Sequence, residues 1–325
     1  MSRPGDEVPL GLRAGGDGRS GPAGTPWVEP DPPQGGGSQA RGNGPPGRAP
    51  GFWARLRRHP MAVASVGILA AITVLCLVGP WFVPWEVDAV QLDAIRQAPS
   101  LAHPMGTDDL GRDLLIRLLH GGRFSILIGV LAAVLGTGIG TFVGAVAGYA
   151  GGWMDNVLMR ITDVAYAIPT LPLLIVLASY TGADPVSMAL IIGFLSWMAT
   201  ARVVRGEVLS LREMAFVESA RSVGARPGRI LWGHILPNAL GPIVVGATLA
   251  VGNAIVVESS MSFLGLGVQP PTPTWGNMLM DAQASMGTTP WLTIFPGVAI
   301  LLVVLAVNFL GDGLQDALDP RGRDR

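Results

Sequence analysis

The titratable side chains are where chemistry would have to reside, and they are few. The histidines, His59, His103, His120 and His234, never fall four apart, so no helix presents the paired imidazoles of a zinc hydrolase. The single cysteine, Cys76, lies in an apolar run with no second thiol for a disulfide or a metal cluster. All 22 basic residues are arginine. Without lysine there is no Walker A loop for ATP, no Schiff base and no protein-kinase lysine. Three charged features remain: Gly106 to Asp113, the stretch Arg202 to Arg229 with Glu218 and Arg221 three apart, and the isolated Glu258. The first fails the calcium-loop spacing. These residues argue for work done without catalytic residues, bound metal or cofactor in this chain.

The elements that position them are apolar. Of 325 residues 49% are hydrophobic and only 14% charged, against about 25% charged in a soluble domain. The mean hydropathy is +0.45. This is the composition of a membrane protein, and a net charge of −1 gives no basic footprint for nucleic acid. A helix needs ~20 apolar residues to cross a hydrocarbon core about 30 Å thick. Six stretches meet or approach this, near 61–83, 125–148, 164–181, 185–201, 238–258 and 289–311. The expected fold is therefore all-α and polytopic, with a transmembrane domain over 55–325. Residues 1–54 read as a disordered tail, since the first 51 hold 14 glycines and 10 prolines and almost no large apolar side chains. The uncharged first stretch is too long for a cleaved signal sequence. Placing the N-terminus in the cytoplasm puts every arginine on the inner side except Arg96, Arg112, Arg117 and Arg123. The positive-inside rule then makes both termini cytoplasmic.

Within this frame the second stretch carries Gly136, Gly140, Gly144 and Gly148, one glycine per helical turn, a ridge for close helix packing or for gating. Ahead of it, Leu110, Leu114, Leu115, Leu118 and Leu119 form an apolar stripe ending at Gly121–Gly122. The stripe reads as an interfacial helix capped by Thr107 or Asp108, with Asp113 and Arg117 spaced to pair. Glu258 is either functional at membrane depth or the headgroup-level start of a loop. The loop after it, with Pro270, Pro271, Pro273 and Trp275, is either a stiff connector with an interfacial tryptophan or a face for another protein.

The loop 202–229 is the most informative. Leu211 to Val223 holds good helix formers and meets Gly224 and Pro227, which end it. Its apolar residues form no clean stripe, and chemistry alone leaves a docking helix and a solvated loop both open. The run Glu218-Ser219-Ala220-Arg221-Ser222-Val223-Gly224, followed by His234-Ile235-Leu236-Pro237, resembles the Glu-Ala-Ala loop of ABC-importer permeases, with serine for the first alanine. Residues 106–113, 148–155, 258–267 and 311–321 resemble the second, C-type permease of the dipeptide, oligopeptide and nickel branch.

The resemblance implies a type I importer permease in a bacterial inner membrane. Its expected partners are a homologous second permease, two cytoplasmic ATPases, an extracytoplasmic binding protein and the lipid bilayer. ATP is used by the partners, so this chain is not itself an enzyme. By position, Glu218, Ser219, Ala220, Arg221 and Gly224 form the ATPase-coupling site. Glu218 engages the ATPase, Ala220 permits close approach and Gly224 turns the chain. The branch implies peptide as the solute, with nickel as the alternative. A gradient-driven transporter would show paired acids or histidines within its spans, and none is apparent.

Overall fold

The computed structural model describes residues 56–57, 59–181 and 184–318, so the tail expected over 1–54 lies outside them. Helix follows helix, and among the described residues the only strand-like feature is an isolated bridge between Thr107 and Asp113. Helix α1, Pro60–Val78, opens on a proline whose missing N–H costs nothing in a first turn. A 3₁₀ turn, Gly79–Trp81, closes it. Pro80 has no hydrogen to return to the Cys76 carbonyl, and Arg123 takes over that task. Its Nε donates to Cys76 O and its Nη2 to Leu77 O, each at 2.6 Å.

Helix α2, Leu114–Ala150, has 37 residues and so extends about 55 Å at 1.5 Å per residue. The interfacial helix and the second span expected from sequence are thus one rod. Gly121–Gly122 do not stop it, because their missing side chains admit a neighbour. A β-carbon on Gly122 would lie 2.7 Å from the Trp275 ring. The cap is Asp113 rather than Thr107 or Asp108, its carboxylate accepting from Ile116 N at 3.0 Å. Arg117, expected to pair with Asp113, faces other acids.

Two bent pairs follow. Helices α3, Gly152–Ala167, and α4, Thr170–Thr181, meet at 82°. Ile168 is driven to an extended conformation by Pro169. The third stretch, expected at 164–181, is thus divided between the end of α3 and the whole of α4. Helices α5, Pro185–Phe194, and α6, Trp197–Arg212, meet at 43°, with Asp184 capping α5 through Val186 N and Ser187 N. The short helix α7 is Ala215–Ser222.

Helix α8, Pro227–Phe263, begins earlier than the expected 238. A π turn at Leu231–Ile235 carries the chain past Pro237, whose nitrogen has no hydrogen to give. Helix α9, Trp275–Ala282, starts with a Thr274–Asn277 capping box. Helix α10, Trp291–Leu318, runs on past the expected 311. Among the described residues, four helices (α1 with its closing turn, α2, α8 and α10) are long and apolar enough to cross a membrane. Taking each bent pair as one span makes six.

Helix α2 is central and packs most closely on α6. The glycine ridge is what brings them together. A β-carbon on Gly140 would lie 2.5 Å from Trp197 O, one on Gly148 2.8 Å from Arg205 O, and one on Gly144 would run into Ala201 O. Both backbones meet where side chains are missing, as expected for tight packing. Toward the outside of the bundle, Val74, Leu75 and Leu77 of α1 are more than half exposed, which suits a lipid-facing surface.

Candidate functional site

At the C-terminal end of α2 the chain builds a small platform around α7. The apolar pair Val204 and Val208 on α6 packs into a cluster with Ala145, Ile230, Leu231 and Ile235. Arg212 ends α6 and donates from Nη1 to Gly148 O and Tyr149 O, at 3.2 and 3.3 Å, tying α6 to the last carbonyls of α2. The helix expected to run from 211 to 223 breaks here. Glu213 and Met214 turn the chain so that Val217, fully buried, re-enters the cluster that Val204 and Val208 began.

Around Val217 the expected site residues divide. Glu218, Ser219 and Arg221 are exposed, and Ala220 is half-buried against the chain's own cluster. Glu218 and Arg221 do not pair with one another, and neither has an ion-pair partner among the described residues. The Ser219 hydroxyl donates to Ala215 O at 2.9 Å within the helix. Gly224 has φ +79 and ends α7 in a Schellman turn. Gly224 N donates to Arg221 O at 2.9 Å and Ala225 N to Ala220 O at 3.1 Å. Beside α7 lies a depression of about 600 Å³, between Tyr149 and Arg212 on one side and Glu213, Glu218 and Arg221 on the other.

The opposite end of α2 carries a second group of charged residues. Thr107 Oγ1 accepts from Gln97 N at 2.8 Å, and Asp108 accepts from Leu110 N, Arg112 N and Arg112 Nε at 2.7–2.9 Å. These bonds fold 106–113 into a knot. The buried His103 Nδ1 lies 2.9 Å from Asp113, and Trp85 stacks on its ring. Arg117, only 4% exposed, sits 3.5–3.9 Å from Asp88, Asp108 and Asp281. Burial pushes the Asp281 carboxyl above the usual carboxylate range, against the pull of Arg117 and Arg112.

Glu258 lies inside α8 with no exposure, and it is not a loop start. It accepts from Ser262 Oγ at 2.8 Å and, more distantly, from Ser125 and Ser259. Trp275 is also buried rather than interfacial, its Nε1 donating to Leu118 O at 3.0 Å. Sequence reasoning passed over the arginines of α6 that meet α3. Arg205 donates to Asp155 from Nε and Nη2 at 2.5 and 2.7 Å. Arg202 donates to Asp163 at 2.8 Å and lies over the Tyr166 ring. Their i, i+3 spacing on one helix was the available signal.

Residues 140–324 match a family model described as the binding-protein-dependent transport system inner membrane component. Residues 51–99 match the N-terminal TM domain of oligopeptide transport permease C. A glutathione transport system permease protein, GsiD, of Salmonella paratyphi A is 45% identical over 271 residues, 83% of this chain and 89% of that protein. GsiD of Escherichia coli O6:K15:H31 is 43% identical over the same shares. A solved chain of the MetNI methionine ABC transporter in an inward-facing conformation is 20% identical, with a TM-score of 0.49, and covers 62% of this chain and 96% of its own.

Proposed function

Since the chain belongs to the family of binding-protein-dependent transport system inner membrane components, we propose that it is one of two permease subunits of an ATP-driven importer for peptides. The relatives named above are transport permeases and not enzymes. The observation that carries the coupling part of the reading is α7. Val217 anchors it, Gly224 ends it, and Glu218, Ser219 and Arg221 are left exposed where the resemblance puts a docking helix. A helix held by one buried valine, with Glu218 and Arg221 lacking ion-pair partners among the described residues, suits the cleft of a partner better than a lipid surface.

In this reading each bent pair is one span, which gives six spans with both termini in the cytoplasm. The platform around α7 then faces inward, and the knot 106–113 with the loop after Glu258 faces outward. A loaded binding protein docks outside, and two cytoplasmic ATPases close on ATP. Glu218 and Arg221 ride in an ATPase cleft, and the turn at Gly224 sets the angle at which α7 leaves the bundle. The spans rearrange and admit the solute between this chain and its homologous second permease. This chain binds no cofactor, and ATP is spent by the partner subunits. Peptide is favoured as the solute because the relatives are named for glutathione, itself a peptide.

The test is to tag the chain, extract it gently from a native membrane and identify what accompanies it by mass spectrometry. Recovery of a second multispan permease and of ATPases, lost on changing Glu218 and Gly224, supports the reading. The accompanying binding protein is then screened against glutathione, other short peptides and nickel, and capture of nickel alone overturns the peptide assignment. An intact chain recovered alone and transporting without ATP overturns the importer itself.

A further inference from the structure

Helix α3 is held to the rest of the chain in an unusual way. Only Asp155 and Thr162 of its sixteen residues are buried. None of its residues joins the apolar clusters that unite the other long helices. The charged ties of α3 to the bundle are two ion pairs. Asp155 takes both the Nε and the Nη2 of Arg205, and Asp163 takes Arg202. Both arginines come from α6.

Helix α6 packs on α2, α3 and α8 at this end. Through the glycine ridge it is fused to α2, with a β-carbon on Gly148 reaching Arg205 O. Through Glu213–Met214 it continues into α7, and Val208 on α6 shares a cluster with Val217 on α7. A displacement of α7 therefore pulls on α6, and α6 holds α3 by a two-pronged guanidinium–carboxylate fork. Such a fork fixes orientation as well as distance. The Asp155 side chain is 11% exposed and that of Arg205 35%, so the pair is partly shielded, between a buried and a surface ion pair. The far end of α3 is the 82° joint with α4 at Ile168–Pro169.

We infer that the Asp155–Arg205 pair is the strut that passes motion of α7 to α3 and so to the α3–α4 joint, making both residues positioning residues for transport. The inference rests on the importer reading above. Asp155 and Arg205 touch neither solute nor nucleotide in this role, and they act by keeping α3 in step with α6.

The experiment uses the whole importer in lipid nanodiscs, with Cys76→Ala and spin labels at Asn156→Cys on α3 and Tyr180→Cys on α4. The distance between labels is read without nucleotide and with ATP and vanadate, so no solute need be known. The labelled parent should show a nucleotide-dependent distance change. Asp155→Asn and Arg205→Gln should each abolish it, and the double variant should be no worse than either, as for two residues acting as one. The ATPases should stay bound, with hydrolysis within twofold of the parent. A change that survives in either single variant overturns the strut. Loss of distance change and hydrolysis together, with the complex intact, overturns it as well and leaves a merely structural role. Absence of ATPases from the parental complex refutes the importer reading, a failure distinct from that of the strut.

Discussion

The two ends of α2 are built on opposite plans. At its N-terminal end Asp113 caps the helix and holds His103, Arg117 lies among three acids, and Trp275 is buried against Leu118. Asp108, Arg112, Asp113 and Arg117 all have partners within the chain. At the other end α7 is pinned by Val217 and a Schellman turn, and Glu218 and Arg221 are left without ion-pair partners among the described residues. One end satisfies itself; at the other Arg202, Arg205 and Arg212 are partnered within the chain, and the charges of α7 are left for something else. Polar groups closed on each other make a fixed frame, whereas exposed unpaired charges on a lightly anchored helix make a handle.

The contrast predicts which substitutions unfold the chain and which only disconnect it. Asp113→Ala removes a helix cap and leaves His103 buried without its partner. A loss of about 2–5 kcal/mol is expected, read as a lower thermal midpoint in detergent and less folded protein in the membrane. Gly144→Val drives a side chain into the Ala201 carbonyl and should cost about 1–3 kcal/mol as overpacking. Lengthened distances between labels on α2 and α6 would confirm that mode of damage. Gly224→Ala meets no neighbour but forces an L-residue to φ +79. The cost should be about 1 kcal/mol, and Gly224→Asn should recover most of it in the same melt. Glu218→Ala should change stability by less than about 0.5 kcal/mol while lowering ATPase recovery at least tenfold in a pull-down. Unfolding of the Glu218 variant, or an Asp113 variant that melts like the parent, would erase the contrast.

Some of this could be read from the sequence, and the reason differs by residue. The glycines spaced by four announced a close helix contact, though not its partner α6, because close approach is encoded by what those residues lack. Gly224 announced the end of α7 because few other residues accept its backbone angle. Gly121–Gly122 misled for a related reason, being read as a stop when they receive a ring from far along the chain. The partners of Asp113, Arg117 and Glu258 were illegible because packing sets them. Ser125 and Glu258 are 133 residues apart, and no local spacing reports such a meeting. Trp275 looked interfacial because tryptophan favours that zone, yet the carbonyl of Leu118 satisfies its N–H inside the protein. Asp155 and Arg205 are 50 residues apart, and their meeting is likewise set by packing.

Arg123 carries a consequence for how the molecule is made. The last carbonyls of α1 are covered by a side chain 46 residues further along, so at synthesis the first helix emerges with its end bare. Bare carbonyls are costly in hydrocarbon, and the guanidinium that covers them arrives only with the start of α2. The economical route into the bilayer is therefore a hairpin of α1 and α2 entering together. Under that order the arginine serves as an assembly clasp during biogenesis before it serves the finished protein.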